Sequence, residues 1–431
     1  MKKYDQYKNS GVEWLGEIPE HWEVKPLKSV AKIKSIINYS DLDLLSVYLD
    51  KGVIKFNEIE AKRTNVTSLD LSKYQLVEKG DFVLNNQQAW RGSVGVSNFK
   101  GIISPAYIIL SLSDLFDVSF ANYYFRNYSI LSQYVISSKG VGTIQRNLYW
   151  PQLKGTYIAI APLQEQSAIA NFLDDKTAKI DQAIAIKQKQ IELLKERRQI
   201  LIHKAVTRGL NENVKLKDSG VEWIGEIPEH WEVKALKNVI KAIGDVDHYM
   251  PPTIESGIPY VMTGDLKEFA SKIDFDGCKK VSNRDFFNLT KKIKSTKGDV
   301  ILARYATIGT STYIDVDIDF LVSYSCVTIK TDSIKLLGFY LFFYFKSEAF
   351  AIDIKNQINT NTQGNVGIGD LRKVKIVLPP IIEQKQIVEF IEISSTKIAT
   401  AISLKEREIE KMKEYKMSLI DGVVTGKVRV F

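Results

Sequence analysis

Side chains able to read the edges of nucleic-acid bases cluster twice in the first half of this 431-residue chain. Arg, Lys, Asn and Gln offer the donors and acceptors that base edges match, while further basic and polar groups hold phosphates. Asn85-Asn-Gln-Gln-Ala-Trp-Arg91-Gly-Ser-Val-Gly95 gathers amides, an arginine and glycines after an apolar run, and Gln87, Gln88 and Arg91 are its leading candidates. Trp90 could stack on or wedge between bases, although an indole more commonly anchors its own loop. Ser138-Lys139-Gly-Val-Gly-Thr-Ile-Gln145-Arg146-Asn147 adds a second set: Lys139, Gln145, Arg146 and Asn147.

Both stretches have counterparts further on. Ala303-Arg304-Tyr305-Ala-Thr-Ile-Gly309 follows an equivalent apolar run and supplies Arg304 and Tyr305, and Asn359-Thr-Asn361-Thr-Gln363-Gly-Asn365 supplies Asn361, Gln363 and Asn365. Matching Gly309 to Gly95 lowers the offset between halves from 218 at Leu84 to 214, which predicts a loop four residues shorter in the second half. The two halves are therefore expected to read different bases. Gln145 aligns with Gln363 and Asn147 with Asn365, a repetition that suits DNA contacts and equally suits a domain-closing turn.

Other chemistry is less well supported. His21 and His230 adjoin Glu20 and Glu229, an acid–base combination, yet each lies inside a Trp-flanked string present in both halves and reads as structural. Trp14, Trp22, Trp223 and Trp231 are expected to pack. Asp81 and Asp299 could hold Mg²⁺ for a hydrolytic reaction, but each follows a glycine in what reads as a turn. Gly140-Val-Gly142 and Gly364-Asn-Val-Gly367-Ile-Gly369 lack the Gly-x-Gly-x-x-Gly context of a nucleotide loop. Neither an Asn/Asp-Pro-Pro-Tyr motif nor a Gly-x4-Gly-Lys-Ser/Thr loop occurs. Cys278 and Cys326 have no ligand partner at metal spacing, which predicts reduced thiols and no structural zinc.

What positions the candidates is a duplicated frame. Ser10-Gly-Val-Glu-Trp-Leu-Gly-Glu-Ile-Pro-Glu-His-Trp-Glu-Val24 returns at Ser219 to Val233 with Ile224 replacing Leu15, an offset of 209. Pro162-Leu-Gln-Glu-Gln166 returns as Pro380-Ile-Ile-Glu-Gln384 at an offset of 218. Such a period fits a repeated domain and not a solenoid. Between the landmarks the sequences diverge into short β-branched and aromatic runs broken by Gly, Asn and Pro, the pattern of mixed α/β domains. The expected organisation is a first domain over 1–160, a long helix over 161–210, a second domain over 211–378 and a second long helix over 379–431.

Stretches without Gly or Pro, Glu165 to Val206 and Glu383 to Ile420, carry a seam of period 3.5. It runs through Leu173, Thr177, Ile180, Ile184, Lys187, Ile191, Leu194, Arg198, Leu201 and Ala205, and through the positions 218 residues on. The two seams are expected to pair as an antiparallel coiled coil. About 40 residues at ~1.5 Å each make a rod of roughly 60 Å, with the globular domain preceding each helix at opposite ends. Polar seam residues Lys187, Arg198, Lys405 and Lys416 would fix register or snorkel at its edge. Thr425-Gly-Lys-Val resembles the connector after Thr207 and is expected to return toward the first domain.

A net charge of +8 and a pI near 9.0 suit an anionic partner without requiring one. The longest apolar run, Leu336 to Phe345, is too short to cross a bilayer, and Lys2 and Lys3 are followed by polar residues instead of a signal-peptide core. A cytoplasmic protein without membrane association is expected. A duplicated protein-binding scaffold would explain the helices, but not the amide-rich loops.

The order of these elements, Gly-Val-Glu-Trp-(Leu/Ile)-Gly-Glu-Ile-Pro-Glu-His-Trp, variable domain, Pro-x-x-Glu-Gln and long helix, all repeated once, resembles the specificity subunit of type I restriction-modification systems along the whole chain. The resemblance implies two target recognition domains, each reading one half of an asymmetric bipartite site in double-stranded DNA. It implies helices that set the spacing and dock two methyltransferase (modification) subunits, and through them the restriction/translocase subunits. It also implies a non-catalytic chain without cofactors, S-adenosylmethionine, ATP and Mg being expected on the partners.

Overall fold

The computed structural model describes residues 2–49, 51–58, 70–141, 145–358 and 364–431. These form two compact units, 1–188 with 406–431, and 189–405. Each holds one mixed α/β domain together with part of both long helices.

At the centre of the first domain is an antiparallel four-stranded sheet in the order Ala31–Lys34, Tyr107–Leu112, Phe82–Asn85, Val94–Val96. The second domain repeats it with Ile240–Gly244, Cys326–Thr331, Val300–Ala303 and Ser311–Tyr313. Alternation along a strand sends successive side chains to opposite faces. Phe82 and Leu84 enter one core with the helix Val118–Arg126, while Val83 enters another with Leu45 and Ile109. Val300 and Leu302 divide from Ile301 and Ala303 in the same way. A sheet covered on both faces requires the continuous apolar runs seen in its central strands. The run Leu336 to Phe345 includes the helix Gly338–Tyr344, whose Tyr340 and Leu341 are fully buried.

The repeated strings meet in one hydrogen-bonded clasp. Glu165 Oε1 accepts from Trp22 Nε1 at 3.0 Å and from the Tyr4 hydroxyl, and its Oε2 lies 2.8 Å from His21 Nε2. Glu383 repeats this with Trp231 at 3.0 Å and His230 at 2.8 Å. The neighbouring glutamines tie the helix start to loop backbone: Gln166 Nε2 donates to the carbonyls of Leu115 and Ala161, and Gln384 Nε2 to those of Lys335 and Pro379. The histidines are thus structural, as expected. Trp22 and Trp231 are fully buried, and Trp14 and Trp223 pack against the same cores. The Gly-Asp steps are turns: Asp81 Oδ2 accepts from Glu78 N and Lys34 Nζ, both at 2.7 Å, and Asp299 Oδ2 from Thr296 N at 2.8 Å and Lys330 Nζ at 2.6 Å.

The long helices span Leu163–Arg208 and Ile381–Val424, slightly beyond their glycine-free stretches. Each ends at a left-handed glycine, Gly209 (φ 76°) and Gly426 (φ 78°). A Cβ there would come within 3.0 Å of Trp231 or 3.1 Å of Trp22, so glycine serves both the turn and the close approach. All ten seam residues of each helix are buried or half-buried. Within the first unit Lys416 Nζ meets Asp181 at 2.6 Å and Lys187 Nζ meets Glu408 at 2.5 Å, so the helices run antiparallel; within the second, Lys405 Nζ donates to Gln190 Oε1 at 2.7 Å. These lysines snorkel to the seam edge and also mark its register. Arg198 differs, pairing with Glu268 of the second domain at 3.1 Å.

After Gly426 the chain does return to the first domain. Arg429 forms an antiparallel bridge with Lys2, its N–H donating to the Lys2 carbonyl at 2.9 Å. None of the described helices is long and apolar enough to cross a membrane. Cys278 and Cys326 are both buried and outside any disulfide.

Candidate nucleic-acid interface

In the first domain the loop between Phe82–Asn85 and Val94–Val96 is built on local hydrogen bonds. Asn85 Oδ1 accepts from Gln87 N at 3.1 Å, a single 3-10 turn covers Ala89–Arg91, and Gly92 at φ 96° closes it. Trp90 donates its indole N–H to the Gln87 carbonyl at 3.0 Å, which anchors the loop, but its ring is only half-buried. The Arg91 guanidinium lies 4.6 Å and that of Arg146 5.5 Å from the centre of this ring, within cation–π range. Gln87 and Arg91 are exposed; Gln88 is half-buried, and its carbonyl accepts from Arg91 N at 2.9 Å.

The second stretch is a hairpin, Ser138–Val141 with Gln145–Leu148, in which Lys139 faces Asn147 and Gly140 faces Arg146. Leu148 N donates to the Asn86 carbonyl at 3.0 Å, so the hairpin and the tryptophan loop are joined. Lys139 Nζ lies 5.3 Å from the ring of Tyr149, which is 44% exposed and was not evident from the sequence. Arg91, Arg146 and Lys139 are therefore spread over two aromatic rings on one connected surface, an arrangement suited to phosphates and stacked bases. Neither Arg91 nor Lys139 takes part in an ion pair among the described residues.

In the second domain the corresponding loop is one residue shorter, not four. Strand register equates Leu84–Val94 with Leu302–Ser311, and the left-handed Gly309 (φ 87°) therefore matches Gly92, whereas Gly95 lies inside a strand. Arg304 requires a larger correction. It is 8% exposed, its Nη1 is bonded to Asp245 Oδ2, and its Nη2 donates to the Tyr305 hydroxyl at 3.2 Å. A guanidinium so enclosed anchors the loop and does not reach outward. Tyr305 is half-buried and bridges Asn365 through the backbone, as Val366 N donates to the Arg304 carbonyl at 3.1 Å. Ala306, next along the tip, has φ 56°, a region unusual for a side chain other than glycine. Asn361 and Gln363 lie outside the described residues, and Gln145 is placed by its backbone alone.

A duplicated α/β frame that carries unlike polar loops, with a pair of antiparallel helices, defines a class, and comparison with known proteins gives the same class. The family described as the type I restriction modification DNA specificity domain matches residues 19–196 and 228–411, and the chain belongs to that family. It is 25% identical to the type I restriction enzyme MjaVIII specificity subunit of Methanocaldococcus jannaschii, over 96% of this chain and 94% of that one. Among solved structures, a chain from a type I restriction-modification assembly superimposes with a TM-score of 0.70 at 14% identity, covering 95% of this chain and 99% of the other. The HsdS subunit of Thermoanaerobacter tengcongensis gives 0.53 at 15% identity, covering 95% and 98%. The chain is a specificity subunit of a type I system, which recognises DNA sequence and is not itself the catalytic component.

Proposed function

We propose that the chain reads an asymmetric two-part target in double-stranded DNA, one half through each recognition domain. In this reading it docks two methyltransferase subunits, and restriction subunits through them, in the cytoplasm. It holds no cofactor of its own, S-adenosylmethionine, ATP and Mg²⁺ belonging to those partners. The observation that carries the reading is the contrast between frame and loops. The two sheets share one strand order, and His21, Trp22, Glu165 and Gln166 recur as His230, Trp231, Glu383 and Gln384, yet Trp90, Arg91 and Arg146 crowd the first surface while the matching place in the second holds Arg304, turned inward onto Asp245. Equal supports with unequal reading surfaces fit unlike half-sites. Gln87, Trp90, Arg91, Lys139, Arg146 and Asn147 are the proposed contacts in the first domain, with Tyr305 and Asn365 in the second.

Modified-base sequencing of cells carrying the cognate modification subunit, with and without this gene, tests the proposal. Adenine methylation at one bipartite motif only when the gene is present is the expected result. A folded chain bound to an active methyltransferase that directs no motif would overturn it.

A further inference from the structure

In the second recognition domain a side-chain cluster extends from Arg304 to residues beyond both candidate loops. Asp245, one residue beyond the Ile240–Gly244 strand, is 5% exposed, and three nitrogen-bearing side chains converge on its carboxylate. Arg304 Nη1 is bonded to Oδ2, Lys292 Nζ lies 3.2 Å from Oδ1, and His248 Nε2 lies 3.4 Å from Oδ2. A carboxylate shielded from water requires such partners. Arg304 is buried with it, but the Lys292 and His248 side chains are 51% and 58% exposed. The imidazole lies 4.9 Å from the ring of Tyr324 at 27° from parallel, which fixes its plane. Asp247, 74% exposed, reaches Lys292 at 3.7 Å.

Charge separates two kinds of DNA contact. Holding phosphates takes uncompensated cations, which Lys139 supplies in the first domain. Here Arg304 and Lys292 are balanced by Asp245 and Asp247, leaving a fixed set of donors and acceptors on rigid supports, as base-edge reading needs. In the neutral imidazole the tautomer that Asp245 can accept from carries its proton on Nε2, which makes Nδ1 an acceptor, and the preceding residue, Asp247, adds an exposed carboxylate. Acceptors in the major groove match the amino groups of cytosine N4 and adenine N6. Strand pairing puts Ser35 of the first domain at the place of Asp245: Ile243 pairs with Ile329 as Ile33 pairs with Leu110, and the two residues stand two positions further on.

We infer that His248 reads an amino-bearing base in the second half-site and that Asp245 positions it. This inference rests on the DNA-specificity reading above. The test maps the methylated motif by modified-base sequencing in cells carrying the full chain with its modification subunit, comparing the natural chain with His248→Ala and Asp245→Asn. In the expected result, His248→Ala preserves the first half-site and spacer but relaxes one base pair of the second by at least about tenfold. Asp245→Asn relaxes that same base pair, and salt dependence of binding to the motif duplex is unchanged. His248 is exposed, so its variant keeps the test decisive even where Asp245→Asn does not fold. An unaltered motif in His248→Ala overturns the inference, as does uniform weakening with a salt slope shallower by about one, the mark of a phosphate contact. If the natural chain directs no motif, the specificity reading fails and this inference with it, whereas a natural motif that survives His248→Ala removes the inference alone.

Discussion

The carboxylate of Glu165 accepts the indole proton of Trp22 at 3.0 Å across 143 residues of chain, and in the same carboxylate the Tyr4 hydroxyl and His21 find their partner. A buried donor deprived of its acceptor costs about 1–3 kcal/mol. Glu165→Ala orphans both the indole and the phenol, so a loss of about 2–5 kcal/mol is expected in the urea-unfolding free energy of the first unit. Exposed Glu20→Ala should stay within about 0.5 kcal/mol. Equal midpoints for the two variants would show that the clasp does not hold the domain.

Arg91 should act on one half-site only. Arg91→Ala is expected to cost about 1–3 kcal/mol in discrimination if its contact is bidentate to a base, and Lys139→Ala to weaken binding uniformly while reducing the salt slope by about one. Equilibrium binding to the motif duplex at several salt concentrations, with each half-site scrambled in turn, separates the two effects. A loss from Arg91→Ala spread equally over both half-sites would point to misfolding instead.

The helix seam predicts a contrast between polar and apolar positions. Lys416 is half-buried and its partner Asp181 exposed to water, so screening keeps the pair weak and Lys416→Ala should change stability by about 1 kcal/mol or less. Leu194 and Met412 are half-buried seam residues, and charges there remove apolar contact and strand a carboxylate against it. Leu194→Glu with Met412→Glu should lower the melting temperature clearly and weaken assembly with the modification subunit. Unchanged methylation by the double variant would refute the seam's role.

Much of this was legible because it is periodic or repeated. Every position that the heptads name is buried or half-buried, and the recurrence of Trp22 as Trp231 announced a shared structural task. What the sequence does not display is partnership at a distance. Arg304 looks like a base reader until Asp245, 59 residues earlier, proves to be its partner. The loop comparison failed for a different reason: Gly95 and Gly309 share an identity, but backbone φ equates Gly309 with Gly92. His248, Lys292 and Tyr149 carry no motif, and only folding places them beside the loops.

Burial of Cys326 predicts an alkaline limit to stability. Its thiol is pushed up to about 12, chiefly by removal from water, from an ordinary value of 9.0. The folded chain therefore retains a proton that the unfolded chain releases first. The associated stability is complete below pH 9 and declines as pH rises toward 12, since unfolding is then favoured by ionisation. Buried Tyr124 and Tyr344 are raised in the same way by burial, but from 10.0, so their contribution begins about one unit later. Between pH 9 and 10 the decline should thus be shared by Cys326, by Cys278, which burial also raises, and by the onset of the buried tyrosines. Urea midpoints at pH 7, 9 and 10 should fall for the natural chain and fall less steeply for Cys326→Ala over that last interval, whereas parallel curves would mean that Cys326 ionises in the folded domain.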